Sequence, residues 1–435
     1  MPTNLPSVSI VVLNWNGKQH LQSCLGSLVA LDYPESKLEI ILCDNGSTDG
    51  SVDLVHRTFA RVRVVALDRN YGFAEGNNRA ARVAAGEWVG FLNNDMRVEP
   101  SWIKDLLSGA DERPNAVCLA SRILNWDGSA VDFVGGGINF QGHGFQVDYG
   151  RPASEHDRSR RLLFACGGAM LINREVFLNV GGFDEQFFAF FEDVDLGWRL
   201  NILGYDVWYV PGATALHRHH GTASRIEPHK LGVLYERNAL AMIYKCFDDQ
   251  NLAAALPAAL LLLNERALLQ SGIDRSRFAL VKGETTPGIG DGQGDPAAEG
   301  SPAGSNVFAK GVRMLRHDGV RATTRHASRW WSARLNEVLL KASSRLEPRW
   351  IMVYGVAVSY YIGVSQFAHL LESLKKKRAW IQERRKRTDA EILPLFVDPF
   401  FSPYPDEQFL KFYHWVNRIL ELDSRFGAPP HRNSS

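Results

Sequence analysis

Four short, predominantly apolar runs within the first 120 residues constrain the fold more than any other feature. Residues 8–13, 38–43, 62–67 and 88–92 each read as a strand. Helical patterns separate them at 20–30, 51–59 and, rich in alanine, around 78–85. Strands apolar on both faces belong to a parallel sheet covered by helices on each side. Ligands of such sheets bind beyond the carboxyl ends of the strands. The tips therefore matter most, and all four are polar: Asn14-Trp15-Asn16-Gly17, Asp44-Asn45-Gly46-Ser47, Asp68-Arg69-Asn70 and Asn93-Asn94-Asp95.

The pattern then changes. Residues 125–150 are glycine-rich and read as irregular or edge-strand structure. A buried run follows at 166–172, a helix at 192–203, a short strand at 207–210 ending on Pro211, and a helix at 231–247. We read 1–247 as one α/β domain and 248–282 as a helical extension. Residues 283–306, rich in Gly, Pro, Ala and Ser, read as a flexible linker or loop. Residues 307–435 read as a helical C-terminal region, membrane-associated or oligomerising. Its apolar stretch 350–371 is diluted by Ser359, Gln366 and His369 and runs into Lys375, Lys376, Lys377 and Arg378. A core or dimer-interface helix, a surface-lying amphipathic helix and a span are three readings of it.

Lys plus Arg number 49 and Asp plus Glu 48, so charge points to no nucleic-acid partner. The five cysteines form no CxxC pair, which argues against a zinc site or disulfide framework and fits a reducing cytoplasm.

Four segments can carry chemistry. In Phe190-Phe191-Glu192-Asp193-Val194-Asp195, three carboxylates follow an aromatic run. Aromatic neighbours would raise a carboxyl's proton affinity, as a general base needs; an acidic helix N-terminus explains the residues equally. Asn93-Asn94-Asp95 after a strand can hold a divalent cation through hard oxygen, or can simply turn the chain. Asp44 stands on a strand tip, ahead of the capping candidates Ser47, Thr48 and Asp49, where a carboxylate can accept a pyrimidine N–H. His217, in His217-Arg218-His219-His220, reads as a metal or diphosphate ligand or as a basic turn.

In this order the motifs resemble the family 2 glycosyltransferases of GT-A fold, in particular the bacterial rhamnosyltransferase branch. The matching segments are Val11 to Gly17, Asp44 to Gly50, Asn70 to Asn78, Leu92 to Asp95, Gly181 to Glu185 with Glu192 to Leu196, and His217. The resemblance covers residues 5 to 247. It implies a Rossmann-like, mostly parallel sheet flanked by helices, and inverting transfer from a nucleotide-sugar donor. The implied donor is dTDP-rhamnose, with a UDP-hexose as alternative. The implied acceptor is a cell-surface glycan or lipid-linked saccharide. The resemblance implies Asp193 as base, with Glu192 orienting the acceptor. Its donor-binding set falls on Asn14, Asn16, Asp44, Asn70, Asn77, Asn94, Asp95 and Gly168. Asp95 and His217 are its candidate ligands for Mg²⁺ or Mn²⁺, with His219 or His220 as alternatives to His217. Asn93 stands where the family often has Asp, which removes one charge from that motif. A lipid-linked acceptor would make peripheral attachment to the cytoplasmic face of the membrane sensible, and a dimer-interface role for 350–371 would make the chain a homo-oligomer. The competing readings are a nucleotide-sugar-binding protein without turnover and a sugar nucleotidyltransferase.

Overall fold

A computed structural model describes residues 5–111, 113–218, 227–273 and 355–427. The four apolar runs become β1 (Val8–Asn14), β2 (Leu38–Asp44), β3 (Val62–Ala66) and β4 (Trp88–Asn93). Between them lie α1 (Lys18–Val29), α2 (Ser51–Thr58) and α3 (Gly72–Val83). The strands order β3-β2-β1-β4, all parallel. The chain winds outward from β1 to β3 and then returns to the other side of β1. That reversal opens a crevice between the tips of β1 and β4. Val11 and Ile41 are fully buried and pack on one face, Ile10 and Leu42 on the other. Burial of each such side chain contributes about 1.5–3 kcal/mol.

Beyond β4 the sheet is mixed. After β5 (Met96–Val98) and α4 (Trp102–Ser108) come β6 (Ala116–Asn125), β7 (Val131–Phe133), β8 (Gly136–Ile138) and β9 (Gly144–Gln146). Then follow β10 (Arg160–Leu162), β11 (Ala169–Asn173), α5 (Arg174–Asn179), α6 (Glu192–Ile202) and β12 (Asp206–His217). β11 inserts antiparallel between β4 and β6, β12 lies parallel to β6, and β10 closes the edge. The glycine-rich stretch 125–150 is thus short strands, with β8 and β9 forming a separate pair.

One difference from the sequence reading positions the site. β12 does not end at Pro211. Its register with β6 shifts between Val210 and Thr214, and pairing then resumes through His217. The irregularity accommodates a residue that cannot donate to the ladder. It carries His217 to a position opposite Met96 on β5, next to Asp95.

Helices α7 (Pro228–Cys246) and α8 (Asp249–Gln270) follow, then α9 (Gly355–Glu383), α10 (Asp389–Ile392), α11 (Glu407–Ile419) and α12 (Leu422–Phe426). Residues 1–271 and 355–435 belong to one compact unit. The second unit, 272–354, lies outside the described residues except for its first two, and with it the expected linker 283–306 and residues 350–354 of the apolar stretch. The described part of that stretch buries Ala357, Tyr360, Gly363 and Phe367, and Tyr244 of α7 meets Phe367 edge-on. Arg378 donates to the Tyr244 and Phe247 carbonyls at 2.6 Å each. Among the described residues α8 is long and apolar enough to cross a membrane, and it buries Glu265 and Arg266 within the protein.

Candidate active site

The tips of three strands are tied by one side chain. Asn14 is fully buried; its amide donates to Asp44 Oδ1 at 3.0 Å, and its oxygen accepts from Asn94 Nδ2 at 2.8 Å. Ser47 N–H donates to the other Asp44 oxygen at 2.9 Å. Asn16, in a left-handed conformation with φ 50°, accepts from Thr48 N–H at 2.8 Å. The predicted residues Asn14, Asn16, Asp44 and Asn94 therefore form one network. Asp44 is buried with both oxygens engaged. Asn70 and Asn77 lie apart from it, at the start of α3. Asn70 accepts from Asn45 Nδ2 at 2.9 Å, and the buried Asn77 donates to the Phe73 carbonyl at 3.0 Å.

Asp95 follows the β4 tip and is buried. His217 Nε2 lies 3.4 Å from its carboxylate, and His217 Nδ1 bonds Asp132 on β7. Burial alone would lower the imidazole; the two carboxylates outweigh it and raise His217 to about 9. The Asp95 carboxyl is held below its ordinary value, against the effect of burial, by His217. A carboxylate oxygen and an imidazole nitrogen face each other, with a second carboxylate on the far ring nitrogen. As it stands this is a charged His217 held between two carboxylates; an oxygen and, once deprotonated, an imidazole nitrogen are donor types that could hold a divalent cation. Among the described residues no three His, Cys, Asp or Glu side chains are arranged to hold an ion alone. A cation here would need oxygens from its substrate or from water. Next to it, Arg218 N–H donates to the Asp95 carbonyl at 3.1 Å, and its guanidinium lies 4.1 Å over Trp126. His219 and His220 lie outside the described residues.

Glu192 and Asp193 open α6. Asp193 Oδ2 accepts from Gly167 N–H at 2.9 Å and Oδ1 from Val194 N–H at 2.8 Å. The Gly168 carbonyl in turn accepts from Asn93 N–H at 2.8 Å. Two consecutive glycines thus connect the Asp193 carboxylate to the β4 tip that carries Asp95. A Cβ on Gly168 would lie 2.8 Å from Met96 Cε and 2.9 Å from Asn93 Nδ2, so a side chain there would have to push the Met96 and Asn93 tips aside. Burial raises both acidic groups. Glu192 goes well above the ordinary range, first by burial and then by the neighbouring Asp193 charge. Asp193 is raised by burial, and its two backbone hydrogen bonds oppose that. Asp193 is therefore the member that ionises first, and Glu192 retains its proton.

The loop before the pair is strained and clamped. Phe188, Phe190 and Phe191 have φ of 65°, 69° and 66°. Bulky residues adopt this region only where the surroundings enforce it, at about 1–3 kcal/mol each. From α7, the Asn238 amide reaches the carbonyls of Phe187, Ala189 and Phe190 at 3.1, 2.9 and 2.8 Å. Arg237 adds a bond to the Phe187 carbonyl at 2.8 Å. From α3, the Phe73 N–H donates to the Phe188 carbonyl at 2.6 Å. Gly72 makes this possible: its φ is 82°, and a Cβ there would lie 2.5 Å from that oxygen.

The family model described as "Glycosyl transferase family 2" matches residues 9–181. An N-acetylglucosaminyl-diphospho-decaprenol L-rhamnosyltransferase of Mycobacterium tuberculosis (strain ATCC 25618 / H37Rv) is 30% identical over 233 residues, 48% of this chain and 75% of that protein. The chain belongs to glycosyl transferase family 2. The O-antigen biosynthesis protein RfbC of Myxococcus xanthus is 34% identical over 230 residues, which are 51% of this chain and 18% of that much longer relative. A mannosyltransferase from Pyrobaculum calidifontis, solved with GDP-Man and Mn²⁺, superposes with a TM-score of 0.46 at 16% identity, covering 84% of this chain and 88% of that one.

The family model stops before Glu192, Asp193 and His217, so geometry has to speak for these residues. It adds three that the sequence reading did not single out: Asp132 behind His217, Gly167 on Asp193, and Asn238 behind the aromatic loop. Asp132 stands alone in a glycine-rich stretch, and Asn238 in a helix interior; neither carries a local signal.

Proposed function

We propose that this family 2 member transfers a sugar from a nucleoside diphosphate sugar to an acceptor hydroxyl in a single displacement with inversion. The observation that carries the reading is the Gly167–Gly168 bridge, which couples the Asp193 carboxylate to the tip bearing Asp95. Asp193 takes the proton of the attacking hydroxyl, because it is the more easily ionised of two buried carboxyls. Glu192, kept protonated, donates a hydrogen bond toward the acceptor. The strand-tip network of Asn14, Asn16, Asp44 and Asn94 forms the floor of the nucleoside site, while Asn70 and Asn77 support it through the start of α3. Gly168 leaves room for the donor against β4.

Asp95 and His217 would hold Mg²⁺ or Mn²⁺, which when bound neutralises charge on the departing diphosphate. Asp132 would hold the His217 ring with Nε2 toward Asp95, so that a bound cation could displace the Nε2 proton. The rhamnosyltransferase relatives support dTDP-rhamnose as donor, with a UDP-hexose as the alternative. The name of the mycobacterial relative supports a lipid-linked saccharide as acceptor. All five cysteines are free, in keeping with a cytoplasmic enzyme.

The test is an assay of dTDP-rhamnose and UDP-hexoses with and without Mn²⁺, with the anomeric configuration of the product read by NMR. Nucleoside diphosphate release with an inverted product supports the reading. Donor binding without turnover, or a retained configuration, refutes it.

A further inference from the structure

Away from the strand tips, residues 178–185 and helix α9 border a cavity of about 560 Å³. This volume lies in the range of small-ligand sites, about 300–1,000 Å³. Its lining is apolar through Leu178, Trp380 and Ile381 and cationic through Arg82, Arg199, Lys245, Lys376 and Lys377. The charges lining the cavity and directly paired with its lining do not balance. Lys245 lies 2.5 Å from Asp184 and 2.7 Å from Asp195, and Arg199 lies 2.8 Å from Asp195. Lys377 shares Asp184 at 2.5 Å, and Arg82 takes Glu185 at 2.5 Å. Lys376 also lines the cavity; it is exposed and has no carboxylate partner among the described residues. Five cations thus face three carboxylates. Lys377 reflects the shortage of negative charge: burial, with Lys245 beside it, holds its ammonium below the ordinary lysine value despite Asp184.

An excess of two positive charges over an apolar wall suits a ligand of the opposite design. We infer that this cavity binds a phosphate or diphosphate ester carrying an apolar chain, its head on Lys376, Lys377 and Arg82 and its chain along Leu178, Trp380 and Ile381. Phosphate oxygens would supply the missing anionic partners, and lysines bind them as point charges. The inference does not depend on the transfer reading, because the cavity shares none of the residues placed at the donor.

Titration calorimetry of the full chain in EDTA, with geranyl diphosphate and inorganic pyrophosphate as probes, tests it. Geranyl diphosphate should bind at least about fivefold more tightly than pyrophosphate, because its chain buries apolar surface. Lys376→Glu should weaken geranyl diphosphate at least about fivefold with unchanged Tm, since a like charge replaces an attractive one. Asp95→Asn should leave that affinity as it is. Equal affinity for the two probes, no response to Lys376→Glu, or loss of binding in Asp95→Asn would each overturn the inference. Sedimentation with vesicles of phosphatidylcholine containing phosphatidylglycerol identifies the source. Sedimentation lost in Lys376→Glu assigns the site to a bilayer headgroup; no sedimentation, with geranyl diphosphate still bound, assigns it to a soluble ester.

Discussion

The side-chain amide of Asn238 lies 2.8 Å from the Phe190 carbonyl, three residues before Asp193. Through this bond α7 holds the left-handed aromatic loop that aims the carboxylate pair. Without the amide, α7 keeps only its Arg237 bond and the packing of Tyr235 on Phe190 and Phe191 against the relaxation of that loop, among the described contacts.

Asn238→Ala should lower kcat about 10- to 100-fold, because a shift of about 1 Å in a reacting group costs that much. The KM for the donor should change less than kcat, since Asn14, Asp44 and Asn94 bond one another and reach the loop only indirectly, through Asn45 and the start of α3. Steady-state kinetics alongside a Tm measurement separate this from general destabilisation. A raised donor KM with unchanged kcat would contradict the positioning role.

Asp132→Asn should weaken Mn²⁺ binding about 10- to 100-fold, as loss of an outer carboxylate behind a metal-bound histidine does. The readout is Mn²⁺ titration by electron paramagnetic resonance in the presence of nucleoside diphosphate. Unchanged affinity would remove Asp132, and with it the oriented His217, from the proposed site.

The pH profile follows from Asp193. Burial raises its carboxyl above the ordinary value, about 3.9 for aspartate. Transfer needs the ionised form, so kcat should fall on acidification at a higher pH than an exposed aspartate would set. A profile flat down to about pH 4 would contradict the assignment.

Glu192 supplies a stability test with a definite sign. Its folded-state value is raised by burial and then by Asp193, so the stability linked to it is present below the ordinary glutamate range and lost as pH rises through the raised value. Glu192→Gln removes the ionisation. The Tm gain of this variant over wild type should therefore be larger at about pH 8 than at about pH 5. A gain that shrinks with pH would show that Glu192 is ionised and stabilised in the fold.

Much of the architecture was legible because it is written locally. β1, β2 and β4 bury side chains on both faces, and short apolar runs bounded by turn residues suit such strands. Their polar tips pointed to Asn14, Asp44 and Asp95 before any coordinates. What was not legible depends on pairing at a distance. Pro211 reads as the end of a strand, yet β6 holds β12 together across the shift and delivers His217 to Asp95. Asp132 matters only because β7 pairs with β6, and Asn238 only because α7 crosses behind the aromatic loop. The resemblance treated Asn70 and Asn77 like the other tip residues, but their side chains are spent on the start of α3. Hydrogen bonding there depends on how α3 meets the loop at Phe188.

The central claim is that Asp193 accepts the proton of the acceptor. Single-turnover transfer and donor binding, measured together for Asp193→Asn, test it most directly. The amide keeps the shape and cannot take the proton. Donor affinity should stay within about twofold, a change of less than 1 kcal/mol, while the transfer rate falls about 100- to 10,000-fold. Transfer near the wild-type rate would contradict the account.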